Sequence, residues 1–216
     1  GAVLDTVRFA SGIIEREINA ATDNPLLFEP DVALSGGNFH GEPIGLVMDY
    51  LGIAAAELGS ISERRTFRLL DGNLNGDLPP MLVDSPESAG LNSGLMMPHY
   101  SAVSLVLENQ TLAHPDSVHS LPTSGGQGDH NANAMTAARH ARQIVENTRH
   151  VLAIELYTAA RALELRMKQY PEARAGTGTQ KTYEIIRSAV PYRSEDAWWG
   201  PEIETVKKLI EIGSFT

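Results

Sequence analysis

The chain has 216 residues, enough for one domain with a respectable core or for a piece of a larger one. Its 17 Lys and Arg against 27 Asp and Glu leave a net charge of −10, which argues against nucleic acid and anionic membranes as partners. There is no cysteine, so disulfides, zinc–thiolate sites and thiol nucleophiles are excluded.

No apolar run approaches the ~20 residues that span a bilayer, and no signal-peptide pattern opens the chain. A soluble, cytoplasmic protein is expected. Gly1-Ala2-Val3-Leu4 enters a helical pattern without an initiator Met, as expected of a chain cut from a longer polypeptide. Val3, Val7, Ala10, Ile14 and Ile18 recur at three- and four-residue steps, which predicts an amphipathic helix. It should end before Asp23-Asn24-Pro25, because the residue preceding proline disfavours helix. Leu26 to Pro30 reads as a short apolar connector, and no segment alternates as a strand should.

Leu34-Ser35-Gly36-Gly37-Asn38-Phe39-His40-Gly41-Glu42-Pro43 is a glycine-rich turn running into a long helix. Glycines permit close approach, and Pro43 suits a first helical turn. Asn38, His40 and Glu42 bring polar chemistry beside the flat wall of Phe39, all at a helix N-terminus. Pro43 to Leu70 reads as one helix with Gly45, Gly52 and Gly59 on one stripe. Each glycine costs about 1 kcal/mol against Ala, so another helix is expected to cross close by. The alternative is three unrelated, tolerated glycines.

Asp71 to Gly90, with Pro79, Pro80 and Pro86, reads as a long functional or interfacial loop. A helix follows from Pro98 to Ala113, and His114-Pro115 stops it. Asp116 to Gly128 is a second glycine-rich loop, with Asp129 a candidate N-cap for the next helix. That helix reaches roughly Met167. At ~38 residues it would be ~57 Å long and needs neighbours along its whole length. Thr179 to Val190 and Pro201 to Ile212 read as short terminal helices, with Trp198 and Trp199 anchoring the tail. The expected fold is all-α, a long-helix bundle that oligomerises. Residues 1–168 would form the bundle with both loops, and 169–216 a helical tail.

Several chemistries are weighed against this pattern. A phosphate cradle lacks the preceding strand and the P-loop spacing. His114, His119 and His130 match no usual ligand spacing, so no metal is expected. A Ser/His/Asp triad is compatible with composition, but no nucleophile elbow is present. The remaining reading brings both glycine-rich loops to one site between helices, with helix N-termini facing a charge-developing substrate.

Asn19-Ala20-Ala21-Thr22-Asp23-Asn24-Pro25-Leu26 followed by Ser35-Gly36-Gly37-Asn38-Phe39-His40-Gly41-Glu42-Pro43 resembles the aromatic amino acid ammonia-lyase family, nearest its histidine ammonia-lyases. The match continues through Ile61-Ser62-Glu63-Arg64-Arg65, Leu78-Pro79-Pro80, Gly90-Leu91-Asn92-Ser93-Gly94, Glu108 to Pro115, Pro122-Thr123-Ser124 and Glu146-Asn147-Thr148-Arg149, and loosens after Lys168. The resemblance implies an all-helical homotetramer, and places this chain in the C-terminal half only. It implies a methylidene-imidazolone (MIO) electrophile, formed by cyclising an Ala-Ser-Gly segment in the missing N-terminal half. That half would also bring the catalytic tyrosine and the carboxylate-binding segment, so no residue here is assigned as catalytic. Ala10-Ser11-Gly12 lies in the first predicted helix and is not expected to be the precursor.

Carried over by resemblance, Phe39 would wall the substrate ring and the prosthetic group, with Asn38 and His40 flanking it as polar support. Histidine lyases read Gln-Glu-Asp-His where this chain has Gln127-Gly128-Asp129-His130. Gly128 offers neither carboxylate nor amide, so histidine specificity requires Asp129 or Gln127 to take over. Gly128→Glu is expected to improve histidine turnover in a complete assembly. The implied reaction removes ammonia from an aromatic α-amino acid to leave an α,β-unsaturated acid, urocanate if the substrate is histidine. The chain is expected to be inactive without its N-terminal half as partner. An aminomutase of the same family and a non-catalytic helical assembly module are the alternatives.

Overall fold

The structure is a computed structural model and describes residues 1–215. Six α-helices and one hairpin are found among them: α1 Ala2–Ile18, β1 Leu26–Phe28, β2 Val32–Leu34, α2 Glu42–Leu70, α3 Met96–Leu112, α4 Ala134–Gln169, α5 Thr177–Ala189 and α6 Gly200–Glu211. The predicted all-α class holds.

Contacts divide the chain into two units, Gly1–Leu58 with Glu108–Glu146, and Gly59–Leu107 with Asn147–Thr216. Helices α2, α3 and α4 each contribute a stretch to both.

In the first unit α1 forms as its periodicity predicts, with Thr6 and Ala10 buried. The connector after it is a hairpin instead. Leu26 pairs with Leu34 and Phe28 with Val32 in antiparallel register. Leu-Leu-Phe and Val-Ala-Leu are uniformly apolar, so they carry no alternation to read.

The glycine stripe has a physical cause at two positions. A Cβ on Gly45 would lie 2.9 Å from the carbonyl oxygen of Ala132, and one on Gly52 would lie 3.2 Å from Ile144 Cδ1. The chain entering α4, and α4 itself, pass close over α2 there. α4 starts at Ala134, not after Asp129. Asn133, at φ 52°, turns the chain, and its carbonyl accepts the first helical bonds from Thr136 and Ala137. Asp129 therefore stays in the loop.

The membrane expectation needs a correction on length and composition. α2 contains an 18-residue window of mean hydropathy 1.4, of which 28% is buried. In the first unit Leu46, Tyr50 and Ile53 are exposed along it, at the three- and four-residue steps of one helix face.

The second unit holds a continuous core. Leu70 of α2, Val106 of α3 and Val151, Ile154 and Leu165 of α4 pack with Ile186 of α5 and Val206 of α6. The loop after α2 is no free flap. Its Leu78 and Leu82, and Leu95 before α3, are buried in that core. Gly94 is required there, because a Cβ would stand 2.3 Å from the Met81 carbonyl oxygen. Asp196 reaches in and accepts from the backbone N–H groups of Ser93 and Gly94 at 2.7 and 2.9 Å.

Arg161 is 2% exposed and donates to the carbonyl oxygens of Leu82 and Arg193. Its guanidinium lies 5.8 Å from the Trp199 ring centroid. Trp199 thus anchors the tail as expected. Trp198 does not, at 84% exposed.

Candidate functional site

The two glycine-rich loops, 90 residues apart, do meet. In the first unit they line a cleft of about 500 Å³, with Asn38, Phe39, His40 and Glu42 from one loop and Gln127, Gly128, Asp129 and His130 from the other. All six predicted site residues, Asn38, Phe39, His40, Gln127, Gly128 and Asp129, line this cleft.

The first loop is shaped by backbone demands. A Cβ at Gly36 would stand 2.4 Å from the Asp23 carbonyl oxygen, so only glycine fits. Asn24 Oδ1 accepts from the Gly36 N–H at 3.0 Å and from the Ser35 hydroxyl at 3.3 Å. Asn38 sits at φ 68°, a left-handed conformation that asparagine tolerates better than most residues. Its carbonyl accepts from the Gly41 N–H at 2.9 Å. The Asn38 amide donates to Glu17 Oε2 of α1 at 2.9 Å, so this side chain is committed to positioning the loop.

Phe39 is 54% exposed, an apolar ring presented at a cleft rather than stored in a core. The His40 ring meets it edge-on, centroids 4.3 Å apart. His40 Nδ1 stands 3.3 Å from the carbonyl oxygen of His130. As donor there, a neutral ring keeps Nε2 as an acceptor. Glu42 stands in the first turn of α2, where free N–H groups favour a carboxylate. Its Oε2 is buried without a hydrogen-bond partner.

The second loop is closed by a pair of backbone bonds. Thr123 N–H donates to Gly128 O at 2.9 Å, and Gly128 N–H to Thr123 O at 3.2 Å. Between them Ser124, Gly125 and Gly126 all have positive φ. A Cβ on Gly128 would lie 2.5 Å from Thr123 Oγ1. A side chain at Gly128 therefore requires the Thr123 hydroxyl to turn away.

Asn131 fastens the loop from below in sequence. Its amide donates to Leu121 O at 2.5 Å, and its N–H donates to the Ser120 hydroxyl at 2.7 Å. Asn24, Asn131 and Glu17 are the residues the sequence reading missed as organisers of the site. The signals for Asn24 were its place before Pro25 and within the Asn19–Leu26 motif, and nothing singled out Asn131 or Glu17.

Ala10-Ser11-Gly12 lies inside α1, with Ala10 buried. A regular helix offers no compressed turn for cyclisation, so this triplet does not fit the precursor of the prosthetic group. Among the described residues no three His, Cys, Asp or Glu stand close enough to hold a metal ion.

The family model for aromatic amino acid lyase matches residues 1–188. Histidine ammonia-lyase from Natranaerobius thermophilus is 47% identical over 214 residues, 99% of this chain and 41% of that protein. The crystal structure of histidine ammonia-lyase from Trypanosoma cruzi superposes with a TM-score of 0.89 at 39% identity, covering 100% of this chain and 41% of that one. Tyrosine aminomutase from Streptomyces globisporus superposes with a TM-score of 0.89 at 36% identity, covering 99% and 40%. The chain therefore spans about two-fifths of these relatives' length. The tail after Lys168 also belongs to the similarity, since the pairwise matches cover nearly the whole chain.

Proposed function

The chain belongs to the aromatic amino acid lyase family, and from that premise we propose that it forms one wall of a site that eliminates ammonia from an aromatic α-amino acid. Histidine is the first substrate to test, with urocanate as product. The observation that supports this is the meeting of both motif loops in one cleft, with Phe39 exposed at its edge.

In this reading Phe39 packs against the substrate ring. His40, tied through Nδ1, accepts a hydrogen bond at Nε2 and orients that ring. Asp129 and Gln127 take over the side-chain contacts that Gly128 cannot make. The free N–H groups at the start of α2 favour negative charge developing nearby. Asn38, Asn24 and Asn131 hold the two loops in place. The rest of the protein supplies the MIO electrophile, which activates the amine as a leaving group. This chain alone is inactive.

The exposed face of α2 at Leu46, Tyr50 and Ile53 is the surface on which copies assemble, a homotetramer in the cytoplasm. An apolar face of this kind is stabilised by cover from another chain.

The test uses the complete protein and histidine. Phe39→Ala should lower kcat/KM by roughly 10- to 100-fold, about 1.4 to 2.7 kcal/mol of transition-state stabilisation, with unfolding unchanged because the ring is half exposed. Wild-type kinetics in that variant would remove Phe39 from the site. The product separates the alternatives. An α,β-unsaturated acid marks a lyase and a β-amino acid an aminomutase. No turnover with any aromatic amino acid leaves the helical assembly module.

A further inference from the structure

Two histidines outside the proposed chemistry stand with their Nε2 atoms 3.3 Å apart. His114 follows the C-terminal end of α3, and His119 lies five residues on. Both rings are exposed, and they meet at 78° with centroids 5.3 Å apart.

Their backbones are held from several sides. His114 N–H donates to Thr111 O at 3.4 Å, and His119 N–H to Asp116 O at 3.1 Å. The Asn133 amide donates to the carbonyl oxygens of His119 at 2.6 Å and Asp116 at 3.3 Å. The backbone that carries the two imidazoles is thus fixed before any ligand arrives, which lowers the ordering penalty of binding one.

One reading of the separation is a hydrogen bond between two neutral rings. The same separation is that of two ligands on one tetrahedral ion. Nitrogens about 2.05 Å from zinc at the tetrahedral angle stand about 3.3 Å apart. Imidazole suits zinc and its late first-row neighbours. Asp116 is not a third ligand. Its Oδ2 lies 2.8 Å from His140 Nδ1, though the two are not aligned as a hydrogen bond.

We propose that His114 and His119 form a two-histidine site for a zinc-like divalent cation, completed by water, that ties the end of α3 to the loop at 116–131. The spacing in sequence hides it. His-x4-His at a helix end fits no regular pattern, and the bend through Pro115 and Asp116 brings the rings together.

The protein in its native assembly is titrated with zinc chloride, followed by calorimetry and by the histidine ring resonances. One equivalent per chain should bind with micromolar affinity, and the His114 and His119 rings should shift together. His114→Ala and His119→Ala should each weaken binding by at least about tenfold, as loss of a ligand requires. Absence of saturable binding, or wild-type affinity in both variants, overturns the site. Should a variant fold poorly, the wild-type resonances decide: shifts at other histidines with these two unmoved also overturn it.

Discussion

Gly128 shows how a single position can mislead. Read as a sequence, it is a missing glutamate. In the structure a Cβ there would fall 2.5 Å from Thr123 Oγ1, so the hydroxyl has to turn away to admit one. Gly128→Ala should therefore destabilise the protein by about 1–3 kcal/mol, the range for overpacking, measured by urea unfolding. Removing the obstacle should restore it: Thr123→Ala with Gly128→Ala should lose less than the sum of the single changes. Strict additivity would show that the two residues do not compete for space. Phe39 was legible because a large aromatic residue between polar ones in a glycine-rich turn has no core to enter. Asn24 and Asn131 were not, because their partners are backbone groups ten to twelve residues away, and sequence says nothing of which carbonyl comes near.

The elements were legible to within a few residues wherever apolar periodicity ran unbroken. α1 and α2 begin within a residue of their predicted starts. The start of α4 was read four residues early, because Asp129 looks like a cap and Asn133 acts as the turn. The close crossing over α2 gives a sharp test. Alanine is favoured over glycine by about 1 kcal/mol inside a helix, yet Gly45→Ala should destabilise, because its Cβ would press on the Ala132 carbonyl oxygen at 2.9 Å. A stabilised Gly45→Ala in urea unfolding would mean α2 and the entry to α4 are not in contact. On α4, Arg161 is buried and feeds two carbonyl oxygens. Arg161→Leu leaves both unpaired and should lose roughly 3 kcal/mol, read from the same unfolding curves. A loss under about 1 kcal/mol would mean water replaces the guanidinium.

At the scale of the whole molecule, buried charge makes the protein sensitive to acid. Glu63 is 3% exposed and bonded by Arg64 and by His99 Nε2 at 2.7 Å. Burial pushes its carboxyl up, but the Arg64 and His99 hydrogen bonds and charges outweigh that and hold it below the ordinary glutamate value. A lowered folded pKa contributes stability in full above the unfolded value, about 4.3, and loses it as pH falls through the folded one. The stability gap between wild type and Glu63→Gln should be constant above that range and close below it. A gap that ignores pH would remove Glu63 from the acid response. The proposed assembly is tested at the same scale. Tyr50→Glu on the exposed face of α2 should shift the protein to smaller species in light scattering, and an unchanged mass would place the interface elsewhere.

By itself the sequence determined the helical class, the family and the residues of the two loops. Those depend on local periodicity and on contiguous motifs, which the chain carries wherever it is placed. Only the tertiary structure decided that the loops share one cleft, that Asn38 is spent on Glu17, that a side chain at Gly128 would meet the Thr123 hydroxyl, and that His114 and His119 face each other. Each of these is a distance between residues that the sequence keeps apart, and a distance of 3 Å is set by the packing of whole helices rather than by any residue's own preference.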